Sequence, residues 1–285
     1  MKKVLVLGST GMLGHMVYQY LWETRKYDLR NICHDAPYNY ESILLDVTKS
    51  TLLADYLFHE QPDVIINCIG VLIKGSKADP GNAIYINSYL PHFLSNEVKK
   101  YGSKLIHVST DCVFTGDKGW YSELDVPDAT DTYGRSKALG ELVNDRDLTL
   151  RTSIVGPELK ENGEGLFDWF MKSKGEVKGY SNVYWGGVTT LALAKVMEQC
   201  IDENISGLQH VTNGIRISKY DLLDCFKYIW NKTDVEILPD GKEKKDSSLI
   251  TTRMAPLYFG FSYQQMLEDL HYWMMEHSDL YTQYK

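Results

Sequence analysis

The sequence predicts an α/β fold: a doubly wound, Rossmann-like parallel sheet followed by a smaller carboxy-terminal α/β lobe. Apolar runs without polar alternation recur through the first half, separated by segments with helical spacing, which is typical of a parallel sheet covered on both faces. The first run ends in a glycine-rich turn. After about residue 156, glycine and aromatic residues cluster instead. We therefore expect one domain over 1–156 and a second over 157–285, allowing for elements that return to the first.

The elements can be justified in chain order. "KKVLVLG" is an apolar strand over 2–8, and "MLGHMVYQYLWETRKY" carries apolar residues at helical spacing from residue 12. Further strands are predicted from the apolar runs at 63–70, 103–110 and 148–156. Helices are predicted at 50–60, 82–101 and 261–281.

Composition argues against several classes of protein. The net charge of -8 disfavours a general nucleic-acid binder, which normally carries a basic face. No run approaches the roughly 20 apolar residues that span a bilayer, and the amino-terminal run is too short for a signal peptide. The five cysteines are scattered, without CxxC or Cys/His clusters, so we expect reduced thiols and no metal site. The expectation is a soluble, cytoplasmic protein.

The turn "GSTGMLG" places glycines at its first, fourth and seventh positions, between the first strand and the first helix. Glycine lets the backbone turn tightly and approach a pyrophosphate, whose charge then lies on the amides of the helix N-terminus. This context predicts dinucleotide binding by the residues of the turn, which are Gly8, Thr10, Gly11, Met12, Leu13 and Gly14.

The glycine turn is followed by "HVSTDCVF" at 107–114, "YGRSK" at 133–137 and then "LRTS" and "GVTT". Together they resemble the extended short-chain dehydrogenase/reductase family, and within it the nucleotide-sugar reductases of the dTDP-4-dehydrorhamnose reductase type. The resemblance implies NADP(H) or NAD(H) as cofactor and a nucleotide-sugar substrate. It also implies reduction of a 4-keto group in surface polysaccharide synthesis. A homodimer is left open.

The resemblance assigns Thr110, Tyr133 and Lys137 to a catalytic triad, although a Tyr-x-x-x-Lys pair alone merely shares one helical face. Ketone reduction needs a proton donor within hydrogen-bonding reach of the oxygen. A lysine cation brings tyrosine, whose pKa is ordinarily near 10, closer to working pH. Lys137 is also expected to contact the nicotinamide ribose. Thr110 ends a predicted strand, where α/β folds place ligands.

Further cofactor contacts are implied by the resemblance. Asp46 and Val47 correspond to the step beside the adenine, and Cys68, Ile69, Gly70 and Val71 to the turn under the nicotinamide-side ribose and phosphates. An acid or a basic group after the second strand distinguishes NAD from NADP. "LRNICHD" offers Arg30, His34 and Asp35 without a clear register, so the cofactor choice stays open.

Substrate contacts are implied at Thr110, Asp111, Ile154 and Trp185, although Asp111 also fits a turn former and Trp185 a core residue. Cys112 and Ile154 stand where the rhamnose-pathway enzymes usually have Tyr and often have Trp. The substrate is therefore dTDP-4-dehydrorhamnose or a UDP-2-acetamido-2,6-dideoxy-4-keto-hexose. Lys244 or Lys245 either serves the diphosphate or belongs to a solvated loop.

Two alternatives use the same scaffold. A nucleotide-sugar epimerase or dehydratase is one, but dehydratases usually add acidic residues directly after the catalytic Thr, and Asp111 is followed here by Cys112. The other is a non-catalytic, NADP-binding regulatory subunit, a kind of protein that often loses members of the triad. This chain retains all three, which favours the reductase.

Overall fold

The computed structural model describes residues 1–253 and 261–284. They form two compact units that are each discontinuous in sequence. Unit 1 comprises Met1–Phe114, Val126–Arg151 and Ala194–Gln209; unit 2 comprises Thr115–Asp125, Thr152–Leu193 and the described part of His210–Lys285. The chain thus passes between the units several times, and Ala194–Gln209 in the second half of the sequence belongs to unit 1.

The strands are short, as expected for an α/β chain. They are β1 (Lys2–Leu7), β2 (Tyr27–Cys33), β3 (Ile43–Leu44), β4 (Val64–Asn67), β5 (Lys104–Thr110), β6 (Leu148–Thr152), β7 (Ile154–Val155), β8 (Gly175–Tyr180), β9 (Val183–Trp185), β10 (Val188–Thr189), β11 (Gly207–His210), β12 (Ile217–Ser218), β13 (Val235–Asp240) and β14 (Lys245–Asp246).

The helices alternate with these strands. They are α1 (Met12–Thr24), α2 (Ser50–Glu60), α3 (Ile73–Ala78), α4 (Pro80–Ile84), α5 (Leu90–Lys99), α6 (Thr132–Leu139), α7 (Leu166–Lys172), α8 (Thr190–Asp202), α9 (Lys219–Ile229) and α10 (Tyr263–Glu276). A π-helical turn covers Tyr85–Tyr89, and 3₁₀ turns cover Asp111–Val113 and Thr282–Tyr284. No helix within the described ranges is long and apolar enough to cross a membrane.

A seven-stranded sheet organises unit 1, in the order β11-β6-β5-β4-β1-β2-β3. β1 pairs in parallel with β2 and β4, β2 with β3, and β4 with β5. This order, which steps outward in both directions from β1, is that of the doubly wound Rossmann fold. The predicted fold class is confirmed.

The register brings the carboxyl ends of the central strands together. Leu7 pairs with Asn67, and Asn67 pairs with His107, near the ends of β1, β4 and β5. The strands are apolar throughout because both faces are covered: Leu5 and Ile65 are at most 1% exposed. Turns that follow these strands therefore lie at one edge of the sheet.

Two predicted elements are interrupted. The apolar run at 148–156 is two strands, because the carbonyl of Ser153 accepts a hydrogen bond from Val188 N (2.9 Å) and β7 pairs with β10 instead of continuing in the main sheet. The predicted helix at 82–101 contains the π-helical turn that divides α4 from α5. Both interruptions depend on partners distant in sequence or on local helix geometry that apolar periodicity does not encode.

Unit 2 contains three small sheets, with strand orders β10-β7, β12-β9-β14 and β13-β8. β8 and β13 pair in parallel over six residues. Aromatic rings pack edge to face in its core, with centroids of Phe167 and Trp230 4.8 Å apart and those of Phe167 and Phe226 5.4 Å apart. The aromatic residues noted in the second half of the sequence thus serve partly as core.

Candidate functional site

The glycine turn of unit 1 folds back tightly after β1. Gly8 has a φ of +82°, a left-handed conformation that glycine adopts without strain, and its carbonyl accepts from Gly11 N at 2.9 Å. A Cβ at Gly14 would lie 2.1 Å from the Gly8 oxygen, so α1 packs directly against the turn. At Gly11 the nearest such atom is 3.3 Å away. The turn therefore requires glycine at its seventh position for packing, and a side chain at the fourth position would make a tight but less severe contact with the same oxygen.

The start of α1 suits an anion. Gly11 is its N-cap and provides no side-chain hydrogen bond, so the first-turn amides lack the usual internal acceptor. Such amides, with the helix dipole, favour a phosphate group. Ser9 is turned away from this face and buried, where its hydroxyl donates to Asn31 Oδ1 at 2.8 Å. The cradle fits a dinucleotide pyrophosphate.

The end of β2 resolves the register that the sequence left open. Arg30 lies within the strand and pairs with Asp28 (3.1 Å). His34 and Asp35 follow the strand and are exposed, with His34 Nδ1 2.7 Å from Asp35 Oδ1. His34 Nε2 also lies 3.9 Å from Asp46 Oδ1. The groups next to this strand end are thus one imidazole and two carboxylates, and Arg30 is not among them.

Asp46 and Val47 follow β3. Asp46 Oδ1 accepts from Thr48 N (2.9 Å) and Thr48 Oγ1 (2.7 Å). These hydrogen bonds lower the pKa of Asp46. Val47 is buried. The adenine contact implied for this pair remains a prediction, and the structure shows Asp46 as the first residue of a turn.

The turn at 68–71 is held by Asn87, a residue that the sequence analysis missed. Asn87 Oδ1 accepts from Val71 N (2.9 Å), and Asn87 Nδ2 donates to Val71 O (3.0 Å) and to Ser136 Oγ (3.1 Å). Ile69 packs on Gly8, so this turn adjoins the glycine turn. Asn87 lies in the π-helical turn Tyr85–Tyr89, and such turns are frequent at functional sites. In the sequence, the signal that could have pointed to Asn87 was its polar side chain within an apolar helical run.

Thr110 ends β5 and is buried. Its hydroxyl accepts from Cys112 N (3.1 Å) and donates to Asp111 Oδ1 (3.1 Å). Asp111, also buried, starts the 3₁₀ turn, and its carbonyl accepts from Phe114 N at 3.0 Å. Asp111 therefore shapes the turn and is at the same time adjacent to Thr110.

Tyr133 and Lys137 lie on α6, whose N-cap Asp131 accepts from Gly134 N at 3.0 Å. Burial raises the pKa of Tyr133 above its usual value, and the neighbouring Thr110 side chain opposes that increase. Gly134 is necessary for this docking, because a Cβ there would lie 2.2 Å from the Cys112 carbonyl oxygen. The structure thus brings Tyr133 and Thr110 into contact.

Lys137 is 5% exposed, and its Nζ donates to Val108 O at 2.6 Å. Burial lowers the pKa of Lys137 to about 8, and the negative charge of Glu141 acts in the opposite direction. Its Nζ lies 4.0 Å from the position of a Cβ on Gly70, beside the turn at 68–71. Burial also raises the pKa of Cys68 to about 12, which keeps that thiol neutral next to the lysine.

A buried ion pair supports this edge of the sheet and was also missed. Arg151 donates to both carboxylate oxygens of Glu141 (2.9 and 2.5 Å), and Ser109 Oγ donates to the same carboxylate at 2.7 Å. The side chains of Arg151 and Glu141 are 1% and 6% exposed. The network connects β6, the end of α6 and the residue before Thr110.

The remaining predicted contacts lie in unit 2. Ile154 is partly exposed on β7. Trp185 on β9 is 5% exposed, donates from Nε1 to Ser153 Oγ (2.8 Å) and packs against Tyr263. This is the environment of a core side chain, the second of the two readings that the sequence left open. Lys245 lies on β14 and is exposed.

Comparison with known proteins gives the family. Residues 1–253 match the family described as RmlD substrate binding domain. The chain belongs to this family. It is 26% identical over 234 residues to a dTDP-4-dehydrorhamnose reductase of Aggregatibacter actinomycetemcomitans, covering 78% of this chain and 76% of that protein. The resemblance predicted from the motifs is confirmed.

A second kind of relative is comparably similar. The methionine adenosyltransferase 2 subunit beta of Xenopus tropicalis is 26% identical over 254 residues, covering 84% of this chain and 75% of that protein. Among solved structures, a hypothetical dTDP-4-dehydrorhamnose reductase from Sulfolobus tokodaii is 25% identical with a TM-score of 0.78, covering 93% of this chain and 99% of that one. A dTDP-4-dehydrorhamnose reductase from Bacillus anthracis in complex with NADP shares the fold, with 22% identity, a TM-score of 0.80 and coverage of 95% and 98%.

Proposed function

We propose that the protein is an NAD(P)H-dependent reductase of the 4-keto group of a nucleotide-activated 4-keto-6-deoxy sugar, a step towards a surface polysaccharide. The observation that carries the proposal is the contact between Tyr133 and Thr110 at the end of β5, with buried Lys137 beside the turn at 68–71. The glycine turn on the same edge of the sheet fits the dinucleotide. Membership of a family that includes a named reductase supports the same reaction.

The residues of unit 1 account for the proton in this reaction. The bound dihydronicotinamide supplies the hydride. Tyr133 keeps its proton, because burial raises its pKa, until negative charge develops on the ketone oxygen. The Thr110 hydroxyl, which donates to Asp111 Oδ1 in this structure, is proposed to turn its one proton to that oxygen as the charge develops. Lys137, on the same helix face, is proposed to stabilise the tyrosinate that remains.

The cofactor is held by the same unit. The amides at the start of α1 take the pyrophosphate, and the turn at 68–71 lies next to Lys137 for the ribose. Asp35 follows β2, where an acid accepts from a ribose 2'-hydroxyl, and His34 beside it is the one basic side chain directly after that strand. Both NADP(H) and NAD(H) therefore remain within the proposal.

The test is Tyr133→Phe, assayed with NADPH and NADH against a panel of 4-keto nucleotide sugars by cofactor absorbance. The wild type should turn over at least one of them. The variant should lose turnover by a factor of about 10² or more, as expected for a general acid, while binding the reduced cofactor almost normally. Near wild-type activity in Tyr133→Phe would refute the role of the tyrosine.

The finer substrate proposal is a 2-acetamido sugar. The proposal is supported by the small size of Cys112 and Ile154, which the family resemblance implies stand in place of larger aromatic residues near the sugar and which would favour an N-acetyl group at C2. A difference of one or two side chains typically changes selectivity by about 10–200-fold. We expect a higher kcat/KM for a UDP-2-acetamido-4-keto-6-deoxyhexose than for dTDP-4-dehydrorhamnose. Equal values, or the opposite preference, would assign the protein to the rhamnose pathway.

A regulatory subunit is the second candidate, because the methionine adenosyltransferase 2 subunit beta resembles this chain as much as the reductase does. Retention of Thr110, Tyr133 and Lys137 favours the enzyme. The same assay separates the two, since a regulatory subunit binds the cofactor but turns over none of the sugars.

A further inference from the structure

Unit 2 presents a stack of two aromatic rings and a guanidinium group on its surface. Arg216 Cζ lies 4.2 Å from the ring centroid of Tyr184 and 5.3 Å from that of Trp120. The Trp120 residue is 38% exposed and the Arg216 side chain 37%. Cation–π contacts hold the three groups together, yet the indole remains open to solvent.

The backbone at Trp120 is strained to hold the ring there. Trp120 has a φ of +50°, a region that bulky residues rarely adopt and that costs about 1–2 kcal/mol. Its amide donates to Ser248 Oγ at 3.0 Å, and Tyr121 N donates to Ser248 O at 2.8 Å. The hydroxyl of Tyr121 in turn accepts from the amides of Gly116 and Lys118. A rigid turn therefore maintains an exposed tryptophan in an unfavourable conformation, which is a reason to look for function.

Charged groups surround the stack. Asp246 accepts a hydrogen bond from Arg216 Nη1 and from Ser248 N (3.0 Å). A Cβ at Gly119, whose φ is +72°, would lie 2.5 Å from Asp246 Oδ2, so the turn packs on this carboxylate. The Lys245 side chain runs along Gly116. Arg216 Nη2 and Nε have no hydrogen-bond partner among the residues that the structure describes, so the guanidinium keeps donors for a ligand.

We propose that Trp120, Arg216 and Lys245 form the subsite for the base and diphosphate of the nucleotide. The proposal rests on the nucleotide-sugar reductase function proposed above. The base stacks on the indole, because every nucleobase has a π-face and tolerates an aromatic platform. The guanidinium and ammonium groups bind the diphosphate, since Arg in particular matches phosphate geometry. The family resemblance implied a substrate contact at Trp185, but that ring is 5% exposed, whereas Trp120 is 38% exposed.

The competing explanation is that the stack only stabilises the turn. The two explanations differ in what a Trp120 substitution changes. If the ring is structural, its loss lowers stability and leaves nucleotide affinity intact in the folded protein. If the ring binds the base, affinity falls whatever happens to stability.

The experiment measures binding of dTDP and of UDP, each alone, by calorimetry on the full chain. Trp120→Ala should raise the Kd of the bound nucleotide about 5–150-fold, the effect of removing one stacking ring, whereas Trp120→Phe should retain most of the affinity. Trp120→Gly should lose as much nucleotide affinity as Trp120→Ala. It should unfold at a higher urea concentration than Trp120→Ala, because glycine adopts a positive φ without strain. If the two variants lose the same nucleotide affinity but differ in stability, the loss of affinity is due to the missing ring.

Arg216→Gln should weaken binding by about tenfold or more, because a charge-assisted hydrogen bond to phosphate is lost. The matched control is Trp22→Ala in unit 1, where Arg25 Cζ lies 4.0 Å from the Trp22 ring and the tryptophan is 40% exposed. This control should bind both nucleotides normally.

Two results would overturn the proposal: no saturable binding of either nucleotide by the wild type, or a Kd within twofold of wild type in Trp120→Ala. Because no ketone is reduced in this assay, the subsite and the reductase function can fail separately. If nucleotide binding depends on Trp120 but no sugar is turned over, the subsite is supported and the reductase function is not. If a sugar is turned over but binding does not depend on Trp120, the reductase function is supported and the subsite is not.

Discussion

Replacing Lys137 by methionine should stabilise the protein while abolishing its proposed activity. The ammonium group is buried, and its pKa falls from 10.5 to about 8. Each pKa unit corresponds to about 1.4 kcal/mol, so keeping the charge in the folded protein below pH 8 costs about 3 kcal/mol. Methionine fills a similar volume without charge, but the hydrogen bond to Val108 O is lost, at a cost of about 1 kcal/mol. The free energy of unfolding should therefore rise by about 2 kcal/mol at pH 7.

The pH dependence of the free energy of unfolding tests this argument more sharply than its change at pH 7 alone. The folded-state pKa lies below the unfolded one, so between about pH 8 and 10.5 the unfolded chain holds a proton that the folded protein has released. Wild-type stability then gains about 1.4 kcal/mol per pH unit from this residue. The advantage of Lys137→Met should accordingly be constant below pH 8 and shrink as the pH rises through that interval.

Urea unfolding without nucleotide, followed by tryptophan fluorescence at several pH values from about 7 to 10, measures this difference. Lys99→Met, at an exposed position at the end of α5, is the matched control. It should change stability little and by the same amount at every pH. A difference between wild type and Lys137→Met that does not vary with pH would refute the argument that burial of the charge determines its energetics.

Two further predictions concern the cofactor cradle. Gly14→Ala should lower the free energy of unfolding by about 1–3 kcal/mol, because its Cβ would lie 2.1 Å from a backbone oxygen. Gly11→Val, whose Cβ would lie 3.3 Å from that oxygen, should lose less stability than Gly14→Ala and at least about tenfold in NADPH affinity; normal affinity in the valine variant would make the turn purely structural. Asn87→Ala should destabilise the fold by about 1–3 kcal/mol and weaken NADPH binding, since both backbone hydrogen bonds to Val71 disappear; cofactor titration and urea unfolding check this, and unchanged values in both would exclude Asn87 as the support of that turn.

The signals that sequence reasoning used were local. The glycine turn, the apolar runs and the Tyr133–Lys137 spacing each depend on neighbours within a few residues, so they could be read without coordinates. The edge of the sheet where Thr110 lies followed from the same logic, because parallel strands align their carboxyl ends. These features were enough to predict the Rossmann-like fold and the family.

Other features depend on partners far apart in the chain. The division of 148–156 into β6 and β7 depends on a hydrogen bond from Val188. The turn at 68–71 is held by Asn87, which also hydrogen-bonds to Ser136. No window of sequence contains both partners of such a contact. Apolar periodicity reports that a segment is buried, but not which neighbour buries it.

The choice between two tryptophans shows the same limit. Trp185 and Trp120 are both flanked by glycine in the sequence, and composition does not distinguish them. Tertiary packing covers Trp185 with Tyr263, whereas the turn fixed by Ser248 and Asp246 leaves Trp120 exposed beside Arg216. Exposure is a property of the folded chain, because it depends on what every other segment occupies, and only the three-dimensional structure determines it.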